Sequence, residues 1–202
     1  MKLYDSSAAP NPRRVRIFLA EKGIDIPTEQ VDIGKRMNLE PDFLAKNPLG
    51  KVPVLELDDG TYLSETVAIC RYLEGTHPTP PLMGVDPSDA AVVEMWQRRM
   101  EFEVANPIMQ CFQNTHDYFK GRITQVPDYG EVCRATALER LAWIDQVLGE
   151  REFVAGERYS IADITLLVGI DFGRVVRLRI PPEHKNLTRW HEAVSSRPSA
   201  QA

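Results

Sequence analysis

The chain reads as an α/β unit followed by an all-helical one, and three observations predict this. From Lys2 to Leu73, short apolar runs alternate with helix-spaced stripes in the order β-α-β-α-β-β-α. His77-Pro78-Thr79-Pro80-Pro81-Leu82-Met83-Gly84, rich in helix breakers, then interrupts the pattern as a linker. Beyond it the strand signal fades and only helical spacing remains. The expected boundaries are residues 1–77 for the α/β domain, 78–87 for the linker and 88–202 for the helical domain.

Each element has a local cause. Lys2-Leu3-Tyr4 opens as a strand. Pro10 and Pro12 sit where a helix begins, because the first turn has no use for their missing N–H. Val15, Phe18 and Leu19 make one apolar stripe, and Gly23 closes the helix. Glu29 to Ile33 is a weaker strand. Pro41 starts a short helix through Leu44, which Asn47-Pro48-Leu49-Gly50 ends. Val52 to Leu57, Asp58-Asp59-Gly60 and Thr61-Tyr62-Leu63 spell a β-hairpin, and helical spacing resumes from Glu65. In the second part, Asp86-Pro87-Ser88 starts a helix with Val92, Val93, Trp96 and Met100 on its apolar side. Leu138, Leu141, Ala142 and Leu148 mark another. Ser160 and Asp163 form a capping box ahead of Ile161, Ile164, Val168 and Phe172.

The 202 residues are 43% hydrophobic and 26% charged, ordinary globular values, so a sizeable core is affordable. A net charge of −5 recommends neither a nucleic-acid nor an anionic-membrane partner. No apolar run approaches the roughly 18 residues of a membrane span. The start MKLYDSSAAP lacks the layout of a secretory signal, so a soluble, cytoplasmic protein is expected. Cys70, Cys111 and Cys133 are odd in number and lack CxxC or histidine spacing, which argues against a disulfide framework and against a metal site.

Three segments carry a resemblance: Asn47-Pro48-Leu49-Gly50-Lys51-Val52-Pro53-Val54-Leu55, then Leu63-Ser64-Glu65-Thr66-Val67-Ala68-Ile69, then the Ser160–Asp163 box. In this order and spacing, over nearly the whole chain, they resemble the cytosolic glutathione S-transferases. Ala8-Ala9-Pro10-Asn11-Pro12-Arg13-Arg14-Val15-Arg16 is most similar to the bacterial nu-class and yeast-type (theta-like) members. The resemblance implies a thioredoxin-like first domain, glutathione as co-substrate without a metal, a homodimer, and attack of the glutathione thiolate on a small electrophile or peroxide. Glutathione-dependent disulfide reduction and a non-catalytic glutathione-binding or interaction role are the alternatives.

It also implies a site. A cis Val52–Pro53 bond would turn the Val52 backbone outward as an edge for the cysteinyl part of the tripeptide. Glu65 would pair the γ-glutamyl ammonium, and Thr66 at the helix start would hold the neighbouring carboxylate; the alternative is that both merely suit a helix N-terminus. Lys51 and Asn38 are candidates for the glycine carboxylate, against a solvated lysine and a turn asparagine. Arg13, Arg14 and Arg16 read as a solvated face or a contact between subunits. Three cations near a helix start call for an acidic neighbour that the sequence does not name.

The chemistry such an enzyme needs is thiolate formation. A free thiol, with a pKa of about 8.5, is only slightly ionised at neutral pH. Lowering that value by two units takes about 2.7 kcal/mol of preferential thiolate stabilisation. Ala9 stands where theta-like relatives carry a serine, and a methyl group cannot donate. Asn11 matches the asparagine of nu-class enzymes and ranks first as the donor. Backbone N–H groups of the same helix start rank second, and Ser6 or Ser7 third. Yeast-type relatives work through water held by histidine, where this chain has Gln113 and Asn114. The electrophile pocket is expected between the domains, with Ile108, Phe112 and His116 as one stripe of its wall. Core packing is the alternative for the first two and a surface position for His116.

Overall fold

The computed structural model describes residues 1–202 as two compact units, Met1–Pro81 and Leu82–Ala200, with the last two residues grouped with the first. The first unit contains β1 (Lys2–Asp5), α1 (Pro10–Glu21), β2 (Thr28–Gln30), α2 (Pro41–Leu44), β3 (Val54–Glu56), β4 (Tyr62–Ser64) and α3 (Thr66–Thr76). Its sheet runs β2-β1-β3-β4, with β1 and β2 parallel and the other pairs antiparallel. This is the thioredoxin-like arrangement that the resemblance implies.

Strand alternation divides the sheet into two faces. Tyr4 and Val54, opposite one another, join Val31 and Phe43 in one buried cluster against which Val52 packs. Leu3, Leu55 and Asp5 point the other way; Leu3 and Leu55 are fully buried there. α1 lies on that side, because its Arg16 reaches Asp5. α1 packs against α3, and Val15, Phe18, Ile69 and Leu73 are wholly buried.

Two strands are shorter than their sequence suggests. β2 ends at Gln30, not Ile33: Val31 N–H still reaches Asp5 C=O at 2.7 Å, but the Asp32 carboxylate accepts from Lys35 N–H at 3.0 Å and folds the chain into a turn. β3 begins at Val54, because the Val52–Pro53 peptide is cis and lies outside the paired register. The hairpin closes through Leu57 and Thr61, with Gly60 at φ +84° supplying the conformation its three-residue loop needs.

The second unit contains α4 (Pro87–Arg99), α5 (Asn106–Thr115), α6 (Pro127–Leu148), α7 (Ile161–Gly173) and α8 (Lys185–Ser195). Asp86 caps α4 by accepting from the N–H groups of Ser88 and Asp89. A π-helical turn, Met100–Ala105, joins α4 to α5. Pro107 explains it: proline offers no N–H to the preceding turn, and its ring crowds the carbonyl there, so the helix widens. α7 starts from the expected capping box, with Ser160 N–H donating to Asp163 and Ser160 Oγ accepting from Ala162 N–H at 3.3 Å.

The apolar stripes need three corrections. Val92 is exposed, while Val93, Trp96 and Met100 are buried. Leu138 is also exposed, because the buried side of α6 runs through Ala137, Leu141, Ile144 and Leu148 at helical spacing. α7 is buried on every side from Ile161 to Ile170, with Thr165 satisfied by Gln97 of α4 at 2.7 Å. Phe172, by contrast, keeps some exposure.

Candidate active site

The register of the sheet gathers the predicted residues. β1 runs towards Asp5, β3 starts at Val54 opposite Tyr4, and β4 ends at Ser64 opposite Val54. Three segments therefore leave one end of the sheet: the loop and helix start after β1, Val52-Pro53 ahead of β3, and Glu65-Thr66 after β4. At about 4.8 Å per strand, the first and last lie roughly 10 Å apart.

The β1–α1 loop is tied down from below. Asp5, 1% exposed, accepts from Arg16 Nη1 at 2.6 Å and from Gln30 Nε2 at 2.6 Å. Arg16 also donates to Ser7 C=O, and Ser7 N–H donates to Gln30 Oε1 at 3.0 Å. Asp5 is thus an acidic neighbour of Arg16 within the arginine cluster, brought there by strand–helix packing. Arg14 is buried, not part of a solvated face. Ser6 is buried as well, and its C=O accepts from Ala9 N–H at 2.9 Å.

The start of α1 is open. Ala9 occupies the cap position and no side chain caps the helix. Pro10 and Pro12 have no N–H, and Arg13 N–H turns back to Ala9 C=O at 3.4 Å. Among the first-turn groups, Asn11 N–H is left to face outward. The Asn11 side chain is exposed, and its Oδ1 accepts from Arg14 Nη2 at 2.8 Å. Since guanidinium only donates, the bonded end is the oxygen, and Nδ2 with its two protons is free.

Asn47, which opens the Asn47–Leu55 motif but is not among the candidate ligand contacts read from it, organises the second segment. It is buried; its Nδ2 donates to Lys51 C=O at 2.8 Å and its Oδ1 accepts from Leu49 N–H at 3.1 Å. Asn38 Nδ2 donates to Gly50 C=O at 2.7 Å, which makes Asn38 a brace of this loop with one amide proton to spare. Gly50 is at φ +60°, and a Cβ there would stand 2.9 Å from Asn38 C=O, so only glycine fits. The Lys51 side chain is exposed beside it.

Glu65 holds the third segment in a strained backbone, φ +68° and ψ +118°, that a side chain disfavours. It is exposed and caps nothing. Ile69 N–H closes the first turn on Glu65 C=O at 3.0 Å, so the N–H groups of Thr66, Val67 and Ala68 have no intrahelical acceptor. Thr66 is 7% exposed. An outward carboxylate beside unfilled N–H groups suits a ligand bearing both an ammonium and a carboxylate.

In the helical unit the predicted stripe divides. Ile108 is wholly buried. Phe112 keeps partial exposure within an aromatic cluster: His116 at 4.8 Å, Phe119 at 5.0 Å and Phe172 at 5.0 Å between ring centroids, with Tyr118 stacked at 6.2 Å. The His116 ring accepts from Tyr118 N–H at 3.1 Å. Asn114 is buried and spends its amide on Gln110 C=O and Val126 N–H, tying α5 to the start of α6. All three cysteines are buried and free. Burial pushes the Cys70 thiol up to about 12 and raises Cys111, so neither is an activated nucleophile.

Comparison with known proteins gives this geometry its family. Residues 8–76 match the model of the glutathione S-transferase N-terminal domain, and residues 105–198 match that of the C-terminal domain. Glutathione S-transferase 2 of Saccharomyces cerevisiae is 38% identical, over all of this chain and 88% of its own length. The chain belongs to the glutathione S-transferase family. The crystal structure of yeast Gtt2 superposes with a TM-score of 0.94 at 38% identity, covering 100% of this chain and 99% of that one. A glutathione S-transferase domain-containing protein of Marinobacter aquaeolei gives 0.95 at 38% identity, covering 98% and 99% of the two chains. A Gtt2-class glutathione S-transferase of Vibrio parahaemolyticus gives 0.88 at 35%, covering 100% and 96%. The yeast-type resemblance is therefore sound along the whole chain.

Proposed function

We propose that this glutathione S-transferase binds glutathione along the end of its sheet, ionises the thiol and directs it at a small electrophile. The register carries the reading, because it gathers an outward carboxylate, a backbone edge and an open helix start within about 10 Å. An extended tripeptide has the same reach. Glu65 pairs the γ-glutamyl ammonium, and Thr66 with its neighbouring N–H groups takes the adjacent carboxylate. Val52, outside the strand register, pairs with the cysteinyl backbone. Lys51 faces the glycine carboxylate, and Asn38 supports the loop that presents it.

The sulfur would then meet the start of α1. Ala9 is no defect in this reading: without a side-chain cap, the Asn11 N–H stays open to an anion. A hydrogen bond to a charged acceptor contributes about 1.5–3 kcal/mol, and a helix N-terminus about 0.3–1 kcal/mol more. Asn11 Nδ2 and the helix start can together supply the ~2.7 kcal/mol that a two-unit depression requires. The thiolate attacks the electrophile, the new bond takes the sulfur lone pair, and the leaving group departs with the displaced electrons. Within the helical unit, the partly exposed Phe112 ring offers a flat, apolar surface of a kind that aromatic electrophiles favour. A cytosolic homodimer completes the proposal, following the family; no helix is long and apolar enough to cross a membrane.

Ultraviolet difference spectra of protein mixed with glutathione test the reading. Thiolate absorbance at neutral pH is expected, and it should fall sharply in Asn11→Ala. Saturable binding without that absorbance would make the protein a glutathione binder and not a transferase.

A further inference from the structure

We infer that Arg14 is a positioning residue that fixes which end of the Asn11 amide meets the glutathione sulfur. The inference rests on the reading of Asn11 as thiolate donor. A primary amide has two ends of nearly equal size and opposite polarity. With Nδ2 outward it stabilises a thiolate; turned over, Oδ1 would face the sulfur and repel it. Something has to decide between the two.

Arg14 does decide it. Its Nη2 lies 2.8 Å from Asn11 Oδ1, one helical turn further on, and a guanidinium can hold only the oxygen end. Arg14 is 9% exposed, so its side chain has little freedom to release that contact. The backbone of Asn11 is fixed as well, because Pro10 and Pro12 on either side each lock their own φ. Only the two side-chain torsions of Asn11 remain, and the Arg14 bond restrains both.

A mutant cycle on the thiol pKa of bound glutathione tests this, read from ultraviolet thiolate absorbance against pH. Arg14→Met keeps the volume of the aliphatic stem and removes the donor. It should raise that pKa by about one unit and lower turnover below it by up to tenfold, with KM for glutathione changed less than about twofold. Arg14→Lys retains a donating cation and should restore most of the loss. Because Arg14 acts through Asn11, Arg14→Met added to Asn11→Ala should change the pKa no further. If Arg14→Met does not fold, Arg14→Gln carries the same cycle, being polar but too short to hold the native contact. Additive effects, or an unchanged thiol pKa in the folded Arg14 variant, would overturn the inference. An unchanged pKa in Asn11→Ala alone would instead remove the donor reading on which it depends.

Discussion

Replacing Glu65 should weaken glutathione binding whatever the substituent, while stability should depend on whether the substituent carries a Cβ. Its backbone, at φ +68° and ψ +118°, is a conformation that costs a residue with a Cβ about 1–3 kcal/mol. Glycine escapes that strain but adds about 0.5–1 kcal/mol of backbone entropy to the unfolded chain. Both Glu65→Gly and Glu65→Ala lose the same favourable carboxylate at the helix start, about 0.3–1 kcal/mol. The side chain is exposed and makes no cap, so no packing is lost in either. The difference between the two variants isolates the strain: Glu65→Gly should be the more stable by roughly 0.5–2 kcal/mol. Glycine is also ahead of alanine at an ordinary N-cap, and the relief of strain expected here adds to that preference. Both should bind glutathione about 10- to 100-fold more weakly, the value of a charged hydrogen bond to the ammonium. Urea denaturation and calorimetric titration read the two effects separately. The reasoning fails if alanine proves the more stable, or if either variant binds as tightly as the parent.

Asp5→Ala would strip Arg16 and Gln30 of a common acceptor beneath the β1–α1 loop, and it should cost about 3 kcal/mol in denaturant unfolding. A loss below about 1 kcal/mol would show that water replaces the carboxylate there. Asp163 gives a pH signature. Burial raises its carboxyl to about 6, although Val154 N–H, Ser160 N–H and Oγ, and the Trp190 indole all donate to it. A raised acid favours the folded state most below its unfolded value and loses that contribution as pH climbs through the folded one. Relative to Asp163→Asn, the parent should therefore lose on the order of 3 kcal/mol between about pH 4 and pH 6. Parallel stability curves over that window would contradict it.

What the sequence made legible was whatever has a local cause. Prolines, Gly60 and the Ser160–Asp163 box mark turns and helix starts through their own backbone chemistry, and each stands where its chemistry demands. β2 is shorter than alternation suggests because the Asp32 side chain competes for a backbone N–H only three residues away, a choice that alternation does not encode. The full burial of α7 was hidden because helical spacing describes one face, whereas burial on all sides depends on which helices surround it. At the site, the cis Val52–Pro53 bond and the placement of Glu65 and Thr66 at the start of α3 could be anticipated from contiguous motifs. The partnership of Asp5 with Arg16 could not, since it joins opposite layers of the fold. Nor could the bond that orients Asn11, although both prolines around it were in plain view. Ile108 shares its spacing with Phe112, but only the tertiary surroundings bury one and leave the other partly open.

Titration calorimetry with reduced glutathione, on the intact chain at neutral pH, tests the heart of the account. One saturating site per chain, with protons released on binding as the thiol ionises, is the predicted result. A folded protein that takes up no glutathione, or that binds it without releasing protons, would contradict it.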